Sequence, residues 1–129
     1  MKDILVTLIA LKQYIKQYHW QAKSYQEHIL ADKLEEGLED YIDETAELSV
    51  VVEQTDEHLQ AGKLLAEAAA ILPEGADSTL RQIALLLVAL SDRMQDLKPK
   101  AGEMGVEDLF SRLSNYILRK IYLIHLQER

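Results

Sequence analysis

Apolar side chains recur at intervals of three and four along this 129-residue chain, the spacing that gathers them on one face of a helix. Over residues 3–23, Ile4, Leu8, Leu11, Ile15 and Tyr18 form such a seam, with Asp3 placed to cap its start. After a short break around Lys23 and Ser24, residues 27–56 predict one long uninterrupted helix. Leu30, Leu34, Leu38, Tyr41, Thr45, Leu48 and Val52 hold the seam there, and no proline intervenes. Residues 57–70, rich in alanine, read as a short bridging helix with His58 at its start facing solvent. The run 73–78 is the clearest punctuation, and Asp77 or Ser78 is expected to cap a third long helix reaching about Leu97. Its seam of Leu80, Ile83, Leu87, Leu90, Met94 and Leu97 is widened by Leu85, Leu86 and Val88, which predicts cover from the bundle and from another subunit. Residues 98–102 break the chain again. A fourth long helix starts near Val106 and packs through Leu109 or Phe110, Leu113, Tyr116 or Ile117, Lys120 or Ile121, and Ile124, with His125 near its end. The expectation is a single all-α domain over 1–129: a four-helix bundle with a short extra helix between its second and third members.

Composition narrows the function classes. Hydrophobic residues make up 48% and aromatics 6%, with two prolines, a balance that suits a helical bundle better than a sheet protein. Without cysteine there is no disulfide, thiolate zinc site or thiol nucleophile. The start of the chain has no signal-peptide layout, and the longest apolar run, 83–90, is too short to span a bilayer, so a cytoplasmic location is expected. The net charge is −8, from 22 acidic and 14 basic residues, and no basic arm is evident; DNA binding is not expected, whereas metal cations are attracted.

The candidate chemistry lies in the second long helix. Projected at about 100° per residue, His28, Asp32, Asp43 and Glu47 fall within an arc of about 100°, yet His28 and Asp43 lie about 22 Å apart along the axis. One helix therefore cannot bring them to one metal, but two antiparallel copies can. His28 and Glu47 share a midpoint with Asp32 and Asp43, between Gly37 and Leu38, so a two-fold axis there sets His28 level with a second copy's Glu47, and Asp32 level with its Asp43. Each site then holds one imidazole and three carboxylates, a set suited to iron, manganese or zinc. Gly37 near the crossing suggests a close approach of helices. Against this stands the abundance of acidic residues in the same stretch, Glu35, Glu36, Glu39, Asp40 and Glu44 among them, which reads equally as a solvated face.

A resemblance extends this reading. His19-Trp20-Gln21-Ala22-Lys23 is similar to the His-Trp start of the Dps family, the miniferritins; His28-x3-Asp32 followed by Asp43-Glu44-Thr45-Ala46-Glu47 resembles that family's second-helix signature, and Arg119-Lys120-Ile121-Tyr122-Leu123-Ile124 its last-helix pattern. The likeness implies a ferritin-like fold and a hollow homododecamer built from two-fold dimers. It further implies oxidation of ferrous iron by peroxide or dioxygen at the dimer interface, with storage of ferric iron. Carried over by position, the ligands are His19, His28 and Asp32 of one subunit with Asp43 and Glu47 of its neighbour, and zinc or manganese are possible substitutes. Trp20 takes the place of an aromatic beside the metal site. The chain departs from the pattern in a shorter interval between His19 and His28 and in Leu48, where an arginine usually follows the final glutamate. No Glu-x-x-His, glycine-rich phosphate loop, GxSxG elbow or Cys/His zinc pattern occurs. The rival expectation is a non-catalytic bundle serving as a scaffold or interaction protein.

Overall fold

The periodic segments form helices whose ends are set by local hydrogen bonding. In the computed structural model, which describes residues 1–128, all regular secondary structure is α-helical: α1 (Lys2–Trp20), α2 (Tyr25–Glu35), α3 (Leu38–Glu53), α4 (Ala61–Ala70), α5 (Leu80–Asp96) and α6 (Met104–Glu128). Ser24 closes the start of α2: its side-chain oxygen accepts the Glu27 N–H at 3.2 Å, and the Glu27 carboxylate accepts the Lys23 N–H at 2.7 Å. Thr79, rather than Asp77 or Ser78, caps α5 by accepting the Gln82 N–H at 3.2 Å. Ser78 is instead buried and donates to the Tyr14 carbonyl at 2.9 Å. The first helix has no side-chain cap, and Asp3 lies in its first turn, where negative charge suits the helix dipole.

The single helix expected over 27–56 is not formed. Gly37 takes φ 85° and ψ −10° after Glu36 at φ −53° and ψ 123°, so α2 stops and α3 restarts two residues on. Only glycine enters that left-handed region without a Cβ penalty. Within one copy a Cβ at Gly37 would meet just the Tyr41 ring edge at 3.9 Å, so here the glycine serves the bend. Leu34 and Leu38, both fully buried, keep the same side of the chain on the core across the bend.

Long-range hydrogen bonds fix the directions. Ser78 bonds Tyr14, and Gln21 reaches the Asp77 carboxylate at 3.1 Å, so α5 begins where α1 ends. The Met1 amino group lies 3.6 Å from Glu53, so α3 ends where α1 begins. Tyr116 donates to the Leu34 carbonyl at 2.6 Å while Arg112 holds Glu44, so numbers rise along α6 as they fall along α2 and α3. Thus α1 and α6 run one way, and the bent α2–α3 rod and α5 run the other. The contacts close into a ring, with α1 and α6 each touching both α2–α3 and α5.

Because α2–α3 and α5 are parallel, the connection between them must travel back along the molecule. The short helix α4 does this on the outside of α1, through Leu64 and Ala68 against Leu5, Val6 and Ala10, with Lys2 and Glu67 paired at 2.8 Å. The main core lies inside the ring and includes Leu8, Leu11, Tyr14, Leu34, Leu38, Ile83, Leu87, Leu90, Leu109 and Leu113. The wider stripe read on α5 is covered on one side: Ile83, Leu87, Leu90 and Met94 are buried, while Leu85 and Val88 stay exposed. Among the described residues no helix is long and apolar enough to cross a membrane.

Candidate metal half-site

His19 follows buried Tyr18 in the last turn of α1, which leaves its ring half-buried at the edge of the core. Five residues later Ser24 caps α2, and the His28 N–H bonds the Ser24 carbonyl at 3.2 Å, placing His28 one turn in and Asp32 one turn further. The tight reversal between the helices swings these turns back over His19. The His19 and His28 rings meet edge to face, 4.1 Å between centroids, and His19 Nδ1 lies 3.2 Å from Asp32 Oδ1. A short interval between the two histidines therefore brings them together.

His19 Nδ1 is a buried atom that makes no well-directed hydrogen bond, even though the Asp32 oxygen is at hydrogen-bonding distance. Both facts hold together if the oxygen lies off the N–H axis. Two ligand atoms about 2.1 Å from one ion, at an angle of about 100°, are themselves about 3.2 Å apart. The pair has the spacing of two ligands, and its buried nitrogen lacks a partner of its own.

The remaining predicted residues stand apart. Asp43 and Glu47 are exposed on α3, on the side opposite buried Thr45 and Ser49. They are separated from Asp32 by the bend at Glu36 and Gly37. Among the described residues no group of three or more His, Cys, Asp or Glu side chains is placed to hold a metal ion. One copy thus sets His19 beside both His28 and Asp32 and leaves Asp43 and Glu47 elsewhere.

The fold also sorts the acidic residues that looked equivalent in the sequence. Lys16 pairs with Glu35 at 3.0 Å, Lys12 with Glu39, and Arg112 grips Glu44 with two guanidinium nitrogens. The hydrogen bond from Arg112 holds the Glu44 carboxyl below its ordinary value, against the opposing effect of burial. Asp40, Asp43 and Glu47 have no cationic partner among the described residues. Negative charge on α3 is thus neutralised toward α1 and α6 and left free on the outer face, where it can attract a cation.

Trp20, next to His19 in sequence, is 72% exposed. One expectation needs correction. His58, read as solvent-facing, is half-buried with Nε2 2.7 Å from Ser49 Oγ. Since the Ser49 hydroxyl donates to the Ala46 carbonyl at 2.6 Å, it accepts from His58, which fixes the proton on Nε2 and pins the start of the crossover to α3. The α4 helix accordingly begins at Ala61, past His58. No protein-family model, curated protein or solved structure matches the chain.

Proposed function

We propose that this chain is a Dps-like miniferritin: a ferritin-like bundle that assembles from two-fold dimers toward a hollow dodecamer and oxidises ferrous iron at sites shared between copies. The observation that carries this reading is the placement of His19 against both the His28 ring and the Asp32 carboxylate at the surface of one copy, which we read as a half-site. Further support comes from the helix directions, with two parallel rods bridged by a short outer helix, and from the unpaired Asp43 and Glu47. Asp32 and Asp43 are equidistant in sequence from the Gly37–Leu38 bend, as are His28 and Glu47. An antiparallel two-fold placed at the bend sets α2 of one copy beside α3 of the other, so the free carboxylates complete the half-site twice per dimer. Exposed Trp20, Tyr25 and Val51 supply apolar surface for such a contact.

Iron is substrate here. Neutral imidazoles of His19 and His28 and the Asp32 carboxylate hold ferrous ion, and Asp43 and Glu47 of the second copy add negative charge. Carboxylates favour ferric over ferrous ion, which lowers the potential and drives electron release. Two ferrous ions supply the two electrons that, with two protons, reduce hydrogen peroxide to two waters, so no hydroxyl radical escapes. Zinc or manganese suit the same ligands as substitutes. With a net charge of −8, the surface gives DNA no electrostatic hold.

The test adds ferrous iron anaerobically, then peroxide, and follows ferric absorbance in the native protein, Asp32→Ala and Glu47→Ala. Both variants are expected to lose at least about tenfold in initial rate, the scale of a lost ligand or its support. Equal rates in all three overturn the proposal. Iron-free, non-reactive protein eluting as a monomer or dimer supports the scaffold reading instead.

A further inference from the structure

Lys33 follows Asp32 directly, so its side chain leaves α2 about 100° away, on the flank toward α6. There a groove of about 660 Å³ runs between the α2–α3 bend and the C-terminal half of α6. Its size falls within the range of about 300–1,000 Å³ typical of small-ligand sites. In a chain of net charge −8 it collects three cations, Lys33, Arg119 and Lys120, against one lining carboxylate, Glu36.

Of these cations Lys120 is held in place, and Glu36 is the one carboxylate paired with the group among the described residues. The Lys120 ammonium donates to the Lys33 carbonyl at 2.6 Å and sits 5.1 Å from the centre of the Tyr116 ring, itself anchored to the Leu34 carbonyl at 2.6 Å. Lys33 approaches Glu36 no closer than 3.9 Å, and Arg119 has no carboxylate partner among the described residues. Burial holds Lys120 below the usual lysine range; Glu36 opposes this, and the neighbouring charges of Arg119 and Lys33 add to it. A bound anion relieves that crowding. Beside the cations, Tyr122 lines the groove and is 57% exposed, leaving its ring open to a ligand.

We propose that this groove binds a small phosphate-bearing molecule, with the phosphate between Lys33, Arg119 and Lys120 and a flat apolar body against Tyr122. A phosphate dianion matches the charge excess, and the planar Arg119 fork suits two of its oxygens. Long polyanions are disfavoured because the acidic surface beyond the groove repels them, while a small ligand lies within the screening length of about 8 Å of the local cations. No residue of the half-site lines the groove, and its three cations lie on the α6 flank of the bend.

Calorimetry and NMR shift mapping on the native, assembled protein test this with adenosine monophosphate, inorganic phosphate and adenosine as probes. The monophosphate is expected to bind and shift resonances of residues 115–123. Inorganic phosphate is expected to bind more weakly at the same place, and adenosine weakest of all. Arg119→Gln and Lys33→Gln, both at exposed positions, should each weaken the monophosphate by about tenfold, the worth of one charge-assisted hydrogen bond. Circular dichroism should stay unchanged. Tyr122→Ala should weaken the monophosphate and leave inorganic phosphate unaffected. Adenosine binding as tightly as its monophosphate, unchanged affinity in both charge variants, or no monophosphate binding at millimolar concentration overturns the site. An unaffected Tyr122→Ala overturns the placement of the ligand body.

Discussion

Glu44 and Asp43 are neighbours in sequence with opposite fates, decided by one residue of α6. Arg112 holds Glu44 and keeps its carboxyl below the ordinary value of 4.5, whereas Asp43 is left open to solvent. A carboxyl with a lowered folded-state pKa stabilises the fold above its unfolded value, and that contribution fades as pH falls through the folded value. Glu44→Gln is therefore expected to lower stability at neutral pH and to flatten the loss of stability below about pH 4.5. Both partners are partly exposed, so solvent screening keeps the neutral-pH effect under about 1 kcal/mol. Urea unfolding of the two proteins from pH 3 to 7 checks this, and parallel curves across that range contradict it.

At the scale of elements, the bend at Gly37 sets how α2 and α3 present their outer faces. Gly37→Ala puts a Cβ on a residue at φ 85°, which costs an L-residue about 1–2 kcal/mol. If the variant relieves the strain by straightening, α2 and α3 merge toward the continuous helix that their periodicity favours. A lower urea midpoint is expected, with little change in total helix content by circular dichroism; an unchanged midpoint contradicts the strain. The same residues show what sequence could reveal. The seams of α1 and α5 were legible because a 3–4 spacing of Leu and Ile has one economical burial. The bend was not, since Leu34 and Leu38 keep that spacing across it and both reach the core. Glycine alone marked the place, and its meaning, dihedral or close approach, depends on backbone geometry. Within the site, the spacing of His28 and Asp32 was readable on α2, while their meeting with His19 depends on the tight turn that Ser24 and Glu27 close. Which carboxylates on α2 and α3 stay free depended on Lys12, Lys16 and Arg112, partners from α1 and α6 that no local pattern identifies.

At the scale of the whole molecule, the division of the ligands between two faces of one chain makes a demand that a self-contained site does not. If His19, His28 and Asp32 act with Asp43 and Glu47 of another copy, each defect can be compensated by a partner carrying the other. Asp32→Ala and Glu47→Ala are each expected to keep at most about a tenth of the native rate alone. In a two-fold dimer of one with the other, one site receives both defects and the second receives neither. Random pairing after co-refolding equal amounts gives about half mixed dimers, each with one intact site of two, hence about a quarter of native ferroxidase activity. A site built wholly within one copy predicts no recovery from any mixture, because every chain carries a lesion. The variants mixed as folded proteins, without exchange, supply the baseline. Activity rising to about a quarter only after subunit exchange assigns the chemistry to the junction between copies. Activity that stays at the baseline separates assembly from catalysis and removes the partner's Glu47 from the site.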